Sequence, residues 1–269
     1  MPTLTERRQR GRHAVASFRM HAALDIGTAT DVGRVRAANE DALLAVLADG
    51  AREGQVLVAV ADGMGGHKAG EVASALAVES LQRTFQEVDA SETPQDLLTH
   101  ALQRGNQTIW EAAAEDVEKE GMGTTLVCAL LTADGQAVIA NVGDSRAYAF
   151  SAGEAVLVTV DHTWVNQQVL AGQMSEREAR HSPFRNLLTR TLGNAPRVEV
   201  DLFVGVQLQA SGDALILVSD GVTGYLDESD FSKVMGTTTS AEAAAKRLVD
   251  EAVKRGGADN ATAVVVRRR

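Results

Sequence analysis

Scarcity narrows this 269-residue chain before any motif is read. It has one cysteine, Cys128, set inside the apolar run Leu126-Val127-Cys128-Ala129-Leu130, so no disulfide framework can form within the chain. A lone thiol in such a run reads as a buried structural residue, and this cysteine usage fits a reducing cytoplasm. Aromatic residues make up 4% of the chain, so core volume must come from Ala, Val and Leu, which a hydrophobic content of 45% can supply. No apolar stretch approaches the roughly 20 residues that cross a bilayer. The basic start (Arg7, Arg8, Arg10, Arg12) lacks the apolar segment that would make it a secretory signal. Cys-X-X-Cys pairs and histidines at zinc spacing are missing, as is the D-x-[DN]-x-[DN]-G loop of calcium sensors. A formal net charge of −10 argues against broad nucleic-acid binding. The expectation is a soluble, cytoplasmic protein with no membrane span.

Strand-length apolar runs recur at 22–26, 43–47, 56–61, 125–131, 137–142, 146–150, 155–160, 198–206, 214–219 and 261–266. The links at 132–136, with Asp134-Gly135, and at 151–154 read as hairpin turns, which implies antiparallel sheet. Three helices interrupt the strands. One spans about 70–88, and a second starts at the N-cap Thr93 with Pro94 in its first turn. A third runs over 240–255, capped by Ser240 and stopped by Gly256-Gly257. This order predicts an α+β fold with packed sheets and helices outside. Residues 1–19 read as a flexible basic leader, and 20–269 as a single domain. Residues 161–190 form a surface excursion on which His162 and His181 read as surface residues. The terminal Arg267-Arg268-Arg269 reads as a solvated tail.

What the chain does have is a set of aspartates beside these runs. The run 56–61 leads into Asp62-Gly63, 137–142 into Gly143-Asp144, and 214–219 into Asp220-Gly221, while Asp259-Asn260 precedes 263–266. Carboxylates brought to one point repel unless cations stand between them. With Asn39-Glu40-Asp41 they outline an oxygen-donor site, which selects magnesium, manganese or calcium over zinc. Each aspartate also has a plainer reading, because Asp-Gly after a strand is a turn signal, and Asp134-Gly135 is that case. Asp62-Gly63 runs on into Met64-Gly65-Gly66-His67-Lys68-Ala69-Gly70, where a Gly63 carbonyl could ligate a cation or the glycines could simply connect. Arg36, just ahead of Glu40 and Asp41, suits bidentate capture of a phosphoryl group; alone it would read as an exposed turn cation.

The ordered segments Asp31-Val32-Gly33-Arg34-Val35-Arg36-Ala37-Ala38-Asn39-Glu40-Asp41, Val60-Ala61-Asp62-Gly63-Met64-Gly65-Gly66-His67, Gly121-Met122-Gly123-Thr124-Thr125, Asn141-Val142-Gly143-Asp144-Ser145-Arg146, Leu188-Thr189-Arg190-Thr191-Leu192-Gly193, Ser219-Asp220-Gly221 and Asp259-Asn260-Ala261-Thr262 together resemble bacterial members of the metal-dependent type 2C serine/threonine protein phosphatases. The resemblance covers about residues 24–266. It implies a four-layer α-β-β-α sandwich of two antiparallel sheets flanked by helices. It also implies hydrolysis of phosphoserine and phosphothreonine in proteins by a metal-bridging hydroxide, opposing bacterial serine/threonine kinases. By motif, Asp62 would bridge two main Mn2+ or Mg2+ ions, the Gly63 carbonyl would ligate one, and Asp220 and Asp259 would complete the first. Glu40 and Asp41 would hold metal-bound waters or ligate directly, and Asp144 with Asp220 would form a weaker third site. Gly224 stands where relatives often carry an acidic residue, which implies a loosely held third ion. Arg36 would bind the substrate phosphate. His67 would serve as general acid, or equally would only structure its loop, so that Arg36, Asp41 and His67 form the implied catalytic set. The excursion 161–190 would be a flap beside the site that shapes substrate choice. The implied partners are phosphorylated proteins, including a serine/threonine kinase, for a monomeric enzyme. Two alternatives stand beside this. A phosphatase dedicated to one phosphoserine regulator would lack the flap. A catalytically dead scaffold would have lost ligands, whereas Asp62, Asp144, Asp220, Asp259 and Arg36 are all present.

Overall fold

The computed structural model describes residues 24–48, 52–66, 69–89 and 91–269. The expected leader 1–19 and His67 lie outside the described residues. In chain order the strands are β1 (Leu24–Asp31), β2 (Asp41–Leu47), β3 (Val56–Met64), β4 (Gly123–Thr124), β5 (Leu126–Leu131), β6 (Gln136–Val142), β7 (Arg146–Ser151), β8 (Glu154–Leu157), β9 (Asp201–Gln207), β10 (Ala214–Val218) and β11 (Ala261–Arg268). The helices are α1 (Ala69–Glu87), α2 (Pro94–Glu115), α3 (Trp164–Leu170), α4 (Glu176–His181), α5 (Asp220–Thr223), α6 (Glu228–Thr237) and α7 (Ala241–Arg255).

The central strands are apolar on both faces, so each face needs its own cover. On β3, Val56, Val58 and Val60 point into the space between the sheets, whereas Leu57, Ala59 and Ala61 point outward to α1 and α2. On β10, Leu215 and Leu217 point inward, and Ala214, Ile216 and Val218 pack under α6 and α7. Two antiparallel sheets result, ordered β1-β11-β10-β7-β8 and β2-β3-β5-β6-β9, with β4 attached to β3. A helical layer covers each, which is the four-layer α-β-β-α sandwich. Cys128 is fully buried on the outward face of β5, beneath the helices, as its apolar run implied.

Local signals account for the helix ends. The Thr93 hydroxyl accepts from the Asp96 amide at 3.2 Å, and Ser240 does the same for Ala243, also at 3.2 Å. Helix α6 is absent from the sequence reading. Its signal is a capping box, in which Asp227 accepts from the Ser229 and Asp230 amides while the Asp230 carboxylate accepts from the Asp227 amide. Residues 161–190 carry α3 and α4 and add no strand to either sheet.

The topology brings the relevant termini to one end of the sandwich. Strands β3 and β6 both run away from the same end through antiparallel β5, so Asp62 and the Gly143-Asp144 turn finish together. In the other sheet, β10 finishes where β11 begins, which places Asp220 beside Asp259-Asn260.

Candidate metal centre

Strand register sets the two innermost carboxylates. Asp41 opens β2 directly opposite Asp62 on β3, so both side chains lie on one face of the pair. Alternation along β3 makes that the inward face, continuing Val56, Val58 and Val60. Asp62 is not the end of its strand: β3 continues through Gly63 to Met64, and Gly63 pairs with Thr124. A Cβ at Gly63 would stand 2.0 Å from the Gly70 carbonyl oxygen and 2.7 Å from that of Glu40, so only glycine lets α1 and the Glu40 turn close on this strand.

Hydroxyl groups hold the backbone of Asp62 and the carboxylate of Asp41. The Thr125 hydroxyl accepts from the Asp62 amide at 3.0 Å and meets the Ser145 hydroxyl at 2.7 Å, while the Thr124 hydroxyl donates to the Asp62 carbonyl at 2.9 Å. The Ser219 hydroxyl donates to Asp41 Oδ2 at 2.8 Å and accepts from the Thr262 amide at 3.0 Å, joining the two sheets across the site. Asp220, an expected metal ligand whose Asp-Gly dipeptide alone would read as a turn, opens the short helix α5.

Electrostatics shows that the group is crowded. Asp62 is held well above the usual carboxylate range by burial first and then by the charges of Asp41, Asp220 and Asp144, and its carboxyl lies within hydrogen-bonding reach of Asp220. Burial pushes Asp41 up to about 7 against the hydrogen bonds from Thr262 and Ser219, with Asp220 and Asp259 adding to the rise. Burial and then Asp220 and Asp161 raise Asp144 to about 8. Asp220 is raised by burial and by Asp259. Glu40 rises mainly through burial, opposed by Arg36. Asp41 Oδ1 and Asp220 Oδ1 are buried without a hydrogen-bond partner. Among the described residues no three acidic, imidazole or thiol side chains are drawn into a closed ligand set. The aspartates stand as repelling neighbours, each raised by burial and by its neighbours' charge. Unpartnered, buried carboxylate oxygens with no competing soft donor fit hard divalent cations.

The rim is built differently. Asp259 Oδ2 accepts from Arg36 Nη2 at 2.7 Å, so the arginine expected to hold phosphate is paired with an expected ligand. Asn260 clamps the loop that carries Arg36 and Glu40: its amide group donates to the Val32 and Ala38 carbonyls at 2.9 Å each, and its Oδ1 accepts from the Glu40 amide at 2.8 Å. Asn39 adds a turn by accepting from the Asp41 amide at 3.2 Å. Sequence reasoning gave no role to Asn260, Ser219 and Thr125; the first two adjoin a candidate aspartate in the chain, whereas Thr125 meets Asp62 only through strand pairing. His181 is exposed, as expected, but His162 is not a surface residue. It is 6% exposed, and its ring is engaged on both sides, by the Gly143 amide and by Asp201. Burial, the main influence, holds its pKa below the ordinary histidine value.

Comparison with known proteins adds an independent line. Residues 32–255 match the family model described as protein phosphatase 2C. A serine/threonine phosphatase of Listeria monocytogenes is 38% identical over 246 residues, 89% of this chain and 94% of its own length. The solved serine/threonine phosphatase of S. agalactiae superposes with a TM-score of 0.84 at 35% identity, covering 91% of this chain and all of the other. The catalytic domain of the phosphatase PstP, solved in complex with two manganese ions, superposes with a TM-score of 0.76 at 31% identity, covering 91% of this chain and 98% of its own.

Proposed function

The chain belongs to the protein phosphatase 2C family and is a metal-dependent serine/threonine protein phosphatase, and we propose that the carboxylate end of its sandwich is the centre of that hydrolysis. One observation carries the assignment: Asp41, Asp62 and Asp220 crowd together part-buried at one end of the sandwich, and Asp41 Oδ1 and Asp220 Oδ1 are buried with no partner. In this reading Asp62 would hold both main ions, the Gly63 carbonyl would ligate one, Asp220 and Asp259 would complete the first, and Glu40 and Asp41 would hold metal-bound waters or ligate directly. Asp144 with Asp220 provides a weaker third position. The oxygen-only donor set favours Mn2+ or Mg2+, and the relative solved with two manganese ions supports the main pair. Bound there, such ions supply Lewis-acid activation of water and neutralise charge on the phosphoryl oxygens.

The protein's own groups do the rest. Arg36 grips the substrate's phosphoryl oxygens by a two-pronged contact, exchanging its rim partner Asp259 for the ligand. The Asn260 clamp keeps the Arg36 loop against β2. His67 remains the proposed proton donor to the departing serine or threonine oxygen. We place residues 161–190 as a flap over a single catalytic domain, 20–269; the exposed Leu170, Phe184 and Leu187 support a docking role for it. Phosphorylated proteins are the substrates. A kinase of the same signalling pair, a monomeric state and a cytoplasmic location complete the proposal; no helix among the described residues is long and apolar enough to cross a membrane.

The test is hydrolysis of a phosphothreonine peptide by purified protein with Mn2+, alongside the Asp62→Asn variant. Turnover in the wild type that is lost in the variant is expected. Equal turnover in both would remove the carboxylate end as the centre.

A further inference from the structure

We propose that His162 is a positioning residue that fixes the Gly143-Asp144 turn and ties it to both ends of the excursion 161–190. This extends the reading of Asp144 as a cation ligand and rests on it for its effect on turnover. The contacts are specific. His162 clamps Gly143 twice: its backbone amide donates to the Gly143 carbonyl at 3.0 Å, and its Nδ1 accepts from the Gly143 amide at 3.0 Å. Its carbonyl accepts from the Thr189 amide at 2.8 Å, where the excursion returns. Its Nε2 lies 3.1 Å from Asp201 Oδ2 on β9, and Asp201 Oδ1 accepts from Arg190 Nη1 at 2.6 Å.

These contacts define the tautomer. A ring nitrogen that accepts from an amide carries no proton, so Nδ1 is bare and Nε2 carries the hydrogen donated to Asp201. Arg190 Nη1 stands 3.1 Å from Nε2, and both donors share the one carboxylate. Gly143 needs such a clamp. Its φ of +108° belongs to glycine, and a Cβ there would stand 2.5 Å from Thr125 Cγ2, so the turn is a tight one set beside Asp144. Asp144 next to it is 9% exposed and has no side-chain hydrogen bond of its own among the described contacts; its direction is inherited from the turn. One buried imidazole therefore joins the Asp144 turn, the exit of the excursion and the start of β9.

The two ring nitrogens can be replaced separately, since Asn places an acceptor near Nδ1 and Gln places a donor near Nε2. The experiment compares His162→Asn, His162→Gln, Asp144→Ala and wild type. Its readouts are hydrogen exchange of the Gly143 amide, Mn2+ binding by calorimetry, and kcat on a phosphothreonine peptide. His162→Asn is expected to keep the Gly143 amide protected and kcat within about threefold of wild type. His162→Gln is expected to expose that amide and to lose about tenfold or more in kcat and in the affinity of the weaker Mn2+ class, as Asp144→Ala does. Gln protecting the amide and matching wild type would overturn the proposal. If Asp144→Ala alone left Mn2+ binding and kcat unchanged, the ligand reading of Asp144 would fall, while exchange at Gly143 would still decide the clamp. Should a variant not fold, the wild-type nitrogen spectrum decides: a proton on Nε2 supports the assignment, and one on Nδ1 contradicts it.

Discussion

Asp41 and Asp62 face each other across a strand pair, part-buried and held by backbone register. Arg36 and Asp259, by contrast, meet at the rim through one 2.7 Å ion pair between segments 223 residues apart. The interior pair cannot move without shifting β2 against β3, and a slip of one residue would turn both carboxylates out of the sandwich. The rim pair is half exposed on the arginine side, and such pairs contribute only about 0–1 kcal/mol. The contrast separates two duties. Groups that must hold cations stand where their own repulsion is unavoidable, and the group that must exchange partners stands where exchange is cheap.

The comparison breaks first at Asp62. Asp62→Asn is expected to lower kcat by about 10^2–10^3-fold or more, while the variant made without added metal gains about 1–3 kcal/mol of stability near neutral pH. Steady-state kinetics and denaturant melts check both halves; a destabilised variant would show that the buried charge is better compensated than its surroundings indicate. Arg36→Ala, at the rim, is expected chiefly to raise KM by the equivalent of about 1–3 kcal/mol, with kcat less affected. An unchanged KM would remove Arg36 from phosphate binding. Asn260→Ala takes away three hydrogen bonds of the clamp and is expected to cost about 1–3 kcal/mol of stability, read by melting. Loss of activity without loss of stability there would mean that Asn260 has more than a clamping part. Asp134→Ala, in the exposed turn between β5 and β6, is the control and should leave kcat and KM unchanged.

Much of this contrast could be read along the chain, and the unread part has a common cause. The strand-end aspartates, the hairpin at Asp134-Gly135 and the caps Thr93 and Ser240 are local patterns, and the structure places each of these elements within a few residues of its expected span. Helix α6 was hidden because its start, Asp227-Glu228-Ser229-Asp230, looks like a polar loop until the capping box is recognised. Asp220-Gly221 has the dipeptide of a turn, but its backbone enters α5 because the β11 start packs against Gly221, where a Cβ would stand 1.9 Å from the Asn260 carbonyl oxygen. His162 reads as exposed because it lies in the excursion 161–190; its burial depends on Gly143 and Asp201, 19 and 39 residues away. The Arg36–Asp259 pair depends on a contact across nearly the whole chain. Local chemistry is legible in one dimension, whereas partners supplied by topology are not.

The central claim, that the buried aspartates form a divalent-metal centre, has a direct thermodynamic consequence. Carboxyl groups raised by burial and mutual charge bind protons more tightly folded than unfolded. Metal-free stability is therefore fully present below the unfolded value of about 4 and is lost as pH rises through about 7 for Asp41 and about 8 for Asp144. Cations that replace those protons should stabilise more at higher pH. The decisive measurement is the melting temperature of wild type and Asp62→Asn across that range, with and without Mn2+. The account predicts a metal-free wild type that weakens as pH rises, a Mn2+ gain that grows over the same range, and a variant in which both effects shrink. A melting temperature independent of pH, with the same Mn2+ gain in both proteins, would contradict it.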